Sequence, residues 1–136
     1  MVIEDARFVR LGLRDEGGFI VQARGTNMPT SQYISARHED LCGLMDGLVA
    51  FADRSTRGGM NPVVAAACGA FGFVYIHPYV DGNGRLHRWQ IRHALAAAAY
   101  SPPGLVFPVS AAILRDIGSY RTVLEFCSSS LLPFIE

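Results

Sequence analysis

A chain of 136 residues with 50% apolar and 18% charged side chains is sized for one packed core, which excludes a disordered tail and a second independent domain. Twelve basic and twelve acidic residues cancel, so no whole-molecule field exists to hold a polyanion, and no local basic patch suits nucleic acid. Cys42, Cys68 and Cys127 are odd in number, widely spaced and set among apolar residues, which predicts reduced thiols packed as small core residues in a cytoplasmic protein rather than a disulfide framework.

The opening MVIEDARFVR lacks the basic, apolar, small-residue order of a secretory signal. The longest uncharged stretch, 61–76, falls short of the roughly 20 residues of a membrane span and runs into His77 and Pro78, so no membrane association is expected. Residues 17–25, GGFIVQARG, form a short apolar run between glycines followed by the turn-prone Thr26, Asn27 and Pro29, the pattern of a strand or small hairpin. From Glu39 the period changes, and Leu41, Leu44, Met45, Leu48 and Val49 mark one face of a helix expected in the core. Ser35 is the candidate N-cap, with Glu39 and Asp40 favourably near the positive end of the dipole.

After the loop RSTRGG, Asn61 and Pro62 supply a cap and a first-turn proline for a second helix. Its run VVAAACGAFGFVY is apolar on every side, which predicts the central helix of the domain. It must stop before Pro78, because proline disfavours a helical conformation in the residue preceding it. A loop, HPYVDGNG, leads to helical spacing over 85–100, with Leu86, Ile91 and Leu95. SPPG breaks that helix, Pro108 opens a fourth to about Asp116, and Ser119 caps a fifth through Tyr120, Val123, Leu124 and Cys127. The result is an all-α domain of five helices with one small hairpin.

Residues 77–88, HPYVDGNGRLHR, suit a magnesium polyphosphate. The loop enters a helix N-terminus, where unpaired N–H groups and the dipole favour an anion. Gly82 and Gly84 free the backbone for unusual dihedrals and close approach to phosphate, and Asn83 offers an amide donor. Arg85 and Arg88, three apart, place two guanidinium forks on one helix face. Asp81 is a hard oxygen ligand, sufficient because magnesium takes one or two carboxylates and fills its remaining positions from phosphates and water. His77, on the exit of a buried helix, has the ordinary pKa of a base working near neutrality.

This string resembles the signature of the Fic family, His-x-Phe-x-(Asp/Glu)-Gly-Asn-Gly-Arg-x-x-Arg, departing only at Tyr79, where the family has an anchoring phenylalanine. The resemblance implies a Fic-like helical bundle with a small hairpin flap (17–35) and a catalytic loop with helix start (76–88), the whole 136-residue chain being one catalytic core cut from a longer protein. It implies a protein adenylyltransferase that moves AMP from ATP to a Tyr, Thr or Ser hydroxyl of a target protein. In it His77 deprotonates the hydroxyl and Asp81 holds magnesium. Gly82, Asn83 and Gly84 bind the α- and β-phosphates, and Arg85 and Arg88 stabilise the polyphosphate, Arg88 toward its far end. The segment 19–33 resembles the family's flap, which holds the target as an added strand. Fic proteins are often restrained by a helix carrying Ser/Thr-x-x-x-Glu-(Gly/Asn); Glu16 and Gly17 fit its end but Gly12 occupies the Ser/Thr position, so such a helix is expected from outside this chain. A homodimer is compatible with the resemblance.

A DGNG turn alone is usually a simple helix-start turn; seven residues at fixed offsets make that reading remote. An EF-hand fails because Arg85, Leu86 and Arg92 fall where its loop wants an oxygen ligand, a glycine and a glutamate. His38, His87 and His93 show no zinc spacing with the cysteines, and His87 and His93 read as ordinary helix positions. Trp89 and Tyr100 could meet an adenine ring, though packing roles are favoured. Within the fold, transfer of UMP, phosphocholine or a terminal phosphate are alternatives; the phosphate-transferring Doc-like branch resembles Asp-Ala-Asn-Lys-Arg here and is disfavoured by Gly82 and Gly84. A nucleotide-binding regulatory module is the alternative of another class, against which the intact His77 and Asp81 speak.

Overall fold

The computed structural model describes residues 12–17, 19–21, 31–102 and 104–130. Among them are five helices: α1 (Leu41–Arg57), α2 (Pro62–Ile76), α3 (Asn83–Ala97), α4 (Val109–Arg115) and α5 (Ile117–Ser129). Two short strands, β1 (Phe19–Val21) and β2 (Ser31–Ile34), pair antiparallel with Phe19 opposite Ile34. Residues 18 and 22–30 of the segment read as a flap lie outside the described residues, as do residues 1–11. The domain is all-α in class, and no helix is long and apolar enough to cross a membrane.

As its uniform hydropathy requires, α2 occupies the centre, packed against α1 and α3. It starts as the sequence indicates: the Asn61 side chain accepts from Val63 N–H at 2.9 Å and from Val64 N–H at 3.4 Å, and Pro62 fills the first turn. Ala66, Ala70, Phe73, Val74 and Ile76 are buried, and the small residues let α1 come close. A Cβ added at Gly72 would lie 3.2 Å from Leu48 Cδ1. Beyond these, α4 lies against α3 and α5, and α5 reaches back to β2.

Four details differ from the sequence reading. A 3-10 turn (His38–Asp40) precedes α1, so Ser35 is a buried residue upstream of the helix and not its cap. The Asp116 carboxylate, not Ser119, caps α5, accepting from Ser119 N–H at 3.2 Å. Of the α1 stripe, Leu41 is buried while Leu44 and Val49 are exposed. Cys42 and Cys68 are exposed, and Cys127 is half-buried; all three are free thiols.

Candidate active site

The site is built on the junction between α2 and α3. His77 ends α2 in the left-handed conformation, φ 53 and ψ 59, with its N–H bonded to the Phe73 carbonyl at 3.0 Å. That conformation costs a residue with a Cβ on the order of 1–2 kcal/mol, so surrounding contacts must hold it. It also turns the chain sharply, which takes the imidazole off the helix and into the wall of a cleft. The ring nitrogen Nδ1 lies 3.3 Å from the Val74 carbonyl. A carbonyl only accepts, so Nδ1 carries the hydrogen and Nε2 is left as the basic nitrogen.

Asn83 fixes the loop. Its Oδ1 accepts from Tyr79 N–H at 3.0 Å and its Nδ2 donates to the Tyr79 carbonyl at 2.6 Å, with only 2% of the residue exposed. The side chain thus closes the loop at the helix start, with one of the two Nδ2 hydrogens committed to the Tyr79 carbonyl. Tyr79 keeps the anchoring place against the Phe73 ring, centroids 6.2 Å apart.

α3 begins two residues earlier than its spacing indicates, at Asn83, so Gly84 is helical. Only Gly82 of the pair is left-handed, with φ 88, and it makes the turn. A Cβ added at Gly84 would lie 3.4 Å from Arg88 Nη1, so Gly84 passes close to that guanidinium. Its missing side chain lets the guanidinium lie over the first turn. His77, Val80, Asp81, Gly82, Asn83, Gly84, Arg85 and Arg88 line one cleft, which therefore gathers every residue assigned to the site from sequence. Asp81 and Arg85 occupy each other as an ion pair at 2.9 Å.

Burial holds the His77 pKa below the usual 6.5; the Val74 carbonyl works the other way, and the Arg14 charge adds to the lowering. The imidazole is thus neutral, and able to accept a proton, at neutral pH. His87 on the far side of α3 is lowered too, by burial and then by Arg88, and its ring lies 5.8 Å from that of Tyr120 on α5. Burial raises the Tyr120 pKa while Arg88 opposes the rise.

The residue that sequence reasoning passed over is Arg14. It is 6% exposed, and its guanidinium donates to the backbone carbonyls of His77 at 2.7 Å, Glu16 at 2.6 Å, Ile76 at 3.2 Å and Ala36. A lone arginine in a turn, 63 positions from the histidine, carries no motif that could have shown this. Trp89 is 55% exposed and stacks on His93 with centroids 4.7 Å apart, so it is not a core residue; Tyr100, also exposed, lies against Phe107.

The sequence model of the Fic/DOC family matches residues 6–95, which contain Arg14, α2, the whole loop and most of α3. The chain belongs to the Fic/DOC family. It is 31% identical over 87 residues to the protein adenylyltransferase Fic of Drosophila grimshawi, covering 64% of this chain and 17% of that one. With the protein adenylyltransferase Fic of Drosophila ananassae it is 36% identical over 63 residues, covering 46% of this chain and 13% of the other. A Fic domain containing signalling protein from Bacteroides thetaiotaomicron superposes with a TM-score of 0.62 at 26% identity, over 85% of this chain and 39% of that chain. The chain thus matches less than a fifth of the length of these Drosophila relatives.

Proposed function

We propose that this Fic/DOC domain is a protein adenylyltransferase that transfers AMP from ATP to a Tyr, Thr or Ser hydroxyl of a target protein. The observation that carries the reading is the convergence of a neutral histidine, a carboxylate, a helix N-terminus and two guanidinium groups on one cleft. The names of the Drosophila relatives support the same chemistry.

Each residue has a part that its placement fits. His77 Nε2 takes the proton of the target hydroxyl as that oxygen forms a bond to the α-phosphorus. The bond from the α-phosphorus to the bridging oxygen breaks, and pyrophosphate leaves with the electron pair. Backbone N–H groups of the Gly82–Gly84 turn and the dipole of α3 receive phosphate oxygens, while Arg85 and Arg88 meet charge with charge. Asp81 is the group to hold magnesium. Among the described residues no three His, Cys, Asp or Glu side chains converge as a metal site, and one carboxylate on the cleft fits an ion held mainly by phosphate. When bound, magnesium supplies charge neutralisation on the polyphosphate. The protein's own contribution is positioning, charge stabilisation and a base worth roughly 100 to 10,000-fold. Strand addition of the target beside β1 and β2 is the part assigned to the flap.

The test is mass spectrometry after incubation with magnesium and each of ATP, UTP, GTP and CTP, on this domain and on the full-length protein, beside His77→Ala. A His77-dependent AMP adduct on the protein itself or on lysate proteins is expected. A UMP or bare phosphate adduct, or a phosphocholine adduct when a cytidine diphosphate ester of choline is the donor, would keep the fold's chemistry and change the group moved. Nucleotide binding without any adduct from either form would replace the enzyme by a non-catalytic nucleotide-binding module.

A further inference from the structure

We infer that Arg14 is a positioning residue for the catalytic histidine, a buried clasp that holds the end of α2 in the conformation the reaction uses. The reason lies in the termination of that helix. A left-handed residue at a helix end closes the last turn through its own N–H, as His77 does to Phe73, and in some caps a second bond from the following residue is added. Here the following residue is Pro78, which has no N–H, so the cap is the single bond from His77 to Phe73, and the carbonyls of Ile76, His77 and Pro78 need a donor that the chain end itself does not give.

Arg14 supplies it from elsewhere. Its Nε and Nη2 reach the carbonyls of His77 and Ile76, and its own backbone N–H donates to the Pro78 carbonyl at 2.9 Å. Three successive carbonyls at the negative end of the α2 dipole are therefore held by one residue, with the cation where the dipole favours it. The same guanidinium reaches the Ala36 carbonyl, just beyond β2, so it joins the strand pair to the histidine. Arg14 is absent from the lining of the cleft, whose charged groups are Asp81, Arg85 and Arg88. It acts on the His77 backbone from beneath, and its charge opposes protonation of the ring.

The activity arm of the test rests on the transferase reading; the spectroscopic arm does not. Arg14→Lys keeps the charge but cannot span the carbonyls, and Arg14→Met removes both. In ligand-free protein at pH about 8, where the ring is neutral, 15N NMR of the His77 imidazole is expected to show one tautomer with hydrogen on Nδ1. Both variants are expected to give a mixture of tautomers, with Mg-ATP affinity within about threefold of the parent and the rate of His77-dependent adduct formation lowered at least about tenfold. If Arg14→Met does not fold, Arg14→Lys decides. A folded Lys variant with an unchanged single tautomer overturns the inference, as does a parallel loss of Mg-ATP affinity and thermal stability with the tautomer intact. Tautomer mixing in a protein that transfers no nucleotide at all would keep Arg14 as the clasp and remove the transferase reading.

Discussion

The Asp81 carboxylate and the Arg85 guanidinium lie 2.9 Å apart, one helical turn from each other, with 63% and 60% of their side chains exposed. Such a pair contributes roughly 0–1 kcal/mol to stability. It is well suited to exchange its partners for magnesium and phosphate when a nucleotide enters. Arg85→Ala is therefore expected to change unfolding free energy by less than about 0.5 kcal/mol and to weaken Mg-ATP binding about tenfold or more, as loss of a charge-assisted bond to phosphate does. Denaturant titration and calorimetry on the same sample check both halves.

Asn83→Ala should behave in the opposite way. Removing the buried amide leaves the Tyr79 N–H and carbonyl without their partners, a loss of about 2–4 kcal/mol in stability. The chemical-denaturation midpoint should fall clearly even in the absence of nucleotide. An unaltered midpoint with lost nucleotide binding would instead show the side chain serving the phosphate and not the loop.

The two glycines should separate. At Gly82 the left-handed φ of 88 makes any Cβ strained, so Gly82→Ala is expected to cost about 1–2 kcal/mol and distort the turn. Gly84→Ala keeps a helical residue and improves its propensity by up to about 1 kcal/mol, but its methyl group meets Arg88 Nη1 at 3.4 Å. A protein as stable as the parent, or more so, with weaker nucleotide binding is the expected result, read by thermal melting beside calorimetry.

Acid should destabilise the domain through its histidines. His77 and His87 both have folded pKa values lowered from 6.5, chiefly by burial. The unfolded chain then binds protons that the folded one resists, so their stabilising contribution is complete above about pH 6.5 and is lost as pH falls from there through the lowered values. His87→Phe, which keeps a ring against Tyr120, should flatten the melting temperature between about pH 7 and pH 5 relative to the parent. A pH profile parallel to the parent's would show that His87 contributes nothing to the slope.

Much of this was written locally. The apolar run after Asn61 and Pro62 reads as a central helix, which it is, although its first turns leave Val63, Val64 and Cys68 exposed, and Pro78 sets its end through the backbone of a single residue. The order of His77, Asp81, Gly82, Asn83, Gly84, Arg85 and Arg88 likewise determined that one loop and one helix start would carry the site, since all seven lie within three turns of chain. Spacing alone could not decide what each polar group does there. Asn83 and Gly84 both look like phosphate binders in a string of letters. Asn83 also braces the loop through Tyr79 and Gly84 lies beside Arg88 in the first turn of α3, relationships that only the folded turn reveals. Nor could it show that Leu44, Val49, Cys42 and Cys68 would be exposed, since an apolar residue is covered only where another element lies against it. Arg14 is the clearest case. Its chemistry depends on carbonyls more than sixty residues away, and the carbonyls left open past the α2 cap find their donor only when the chain has folded Arg14 against them.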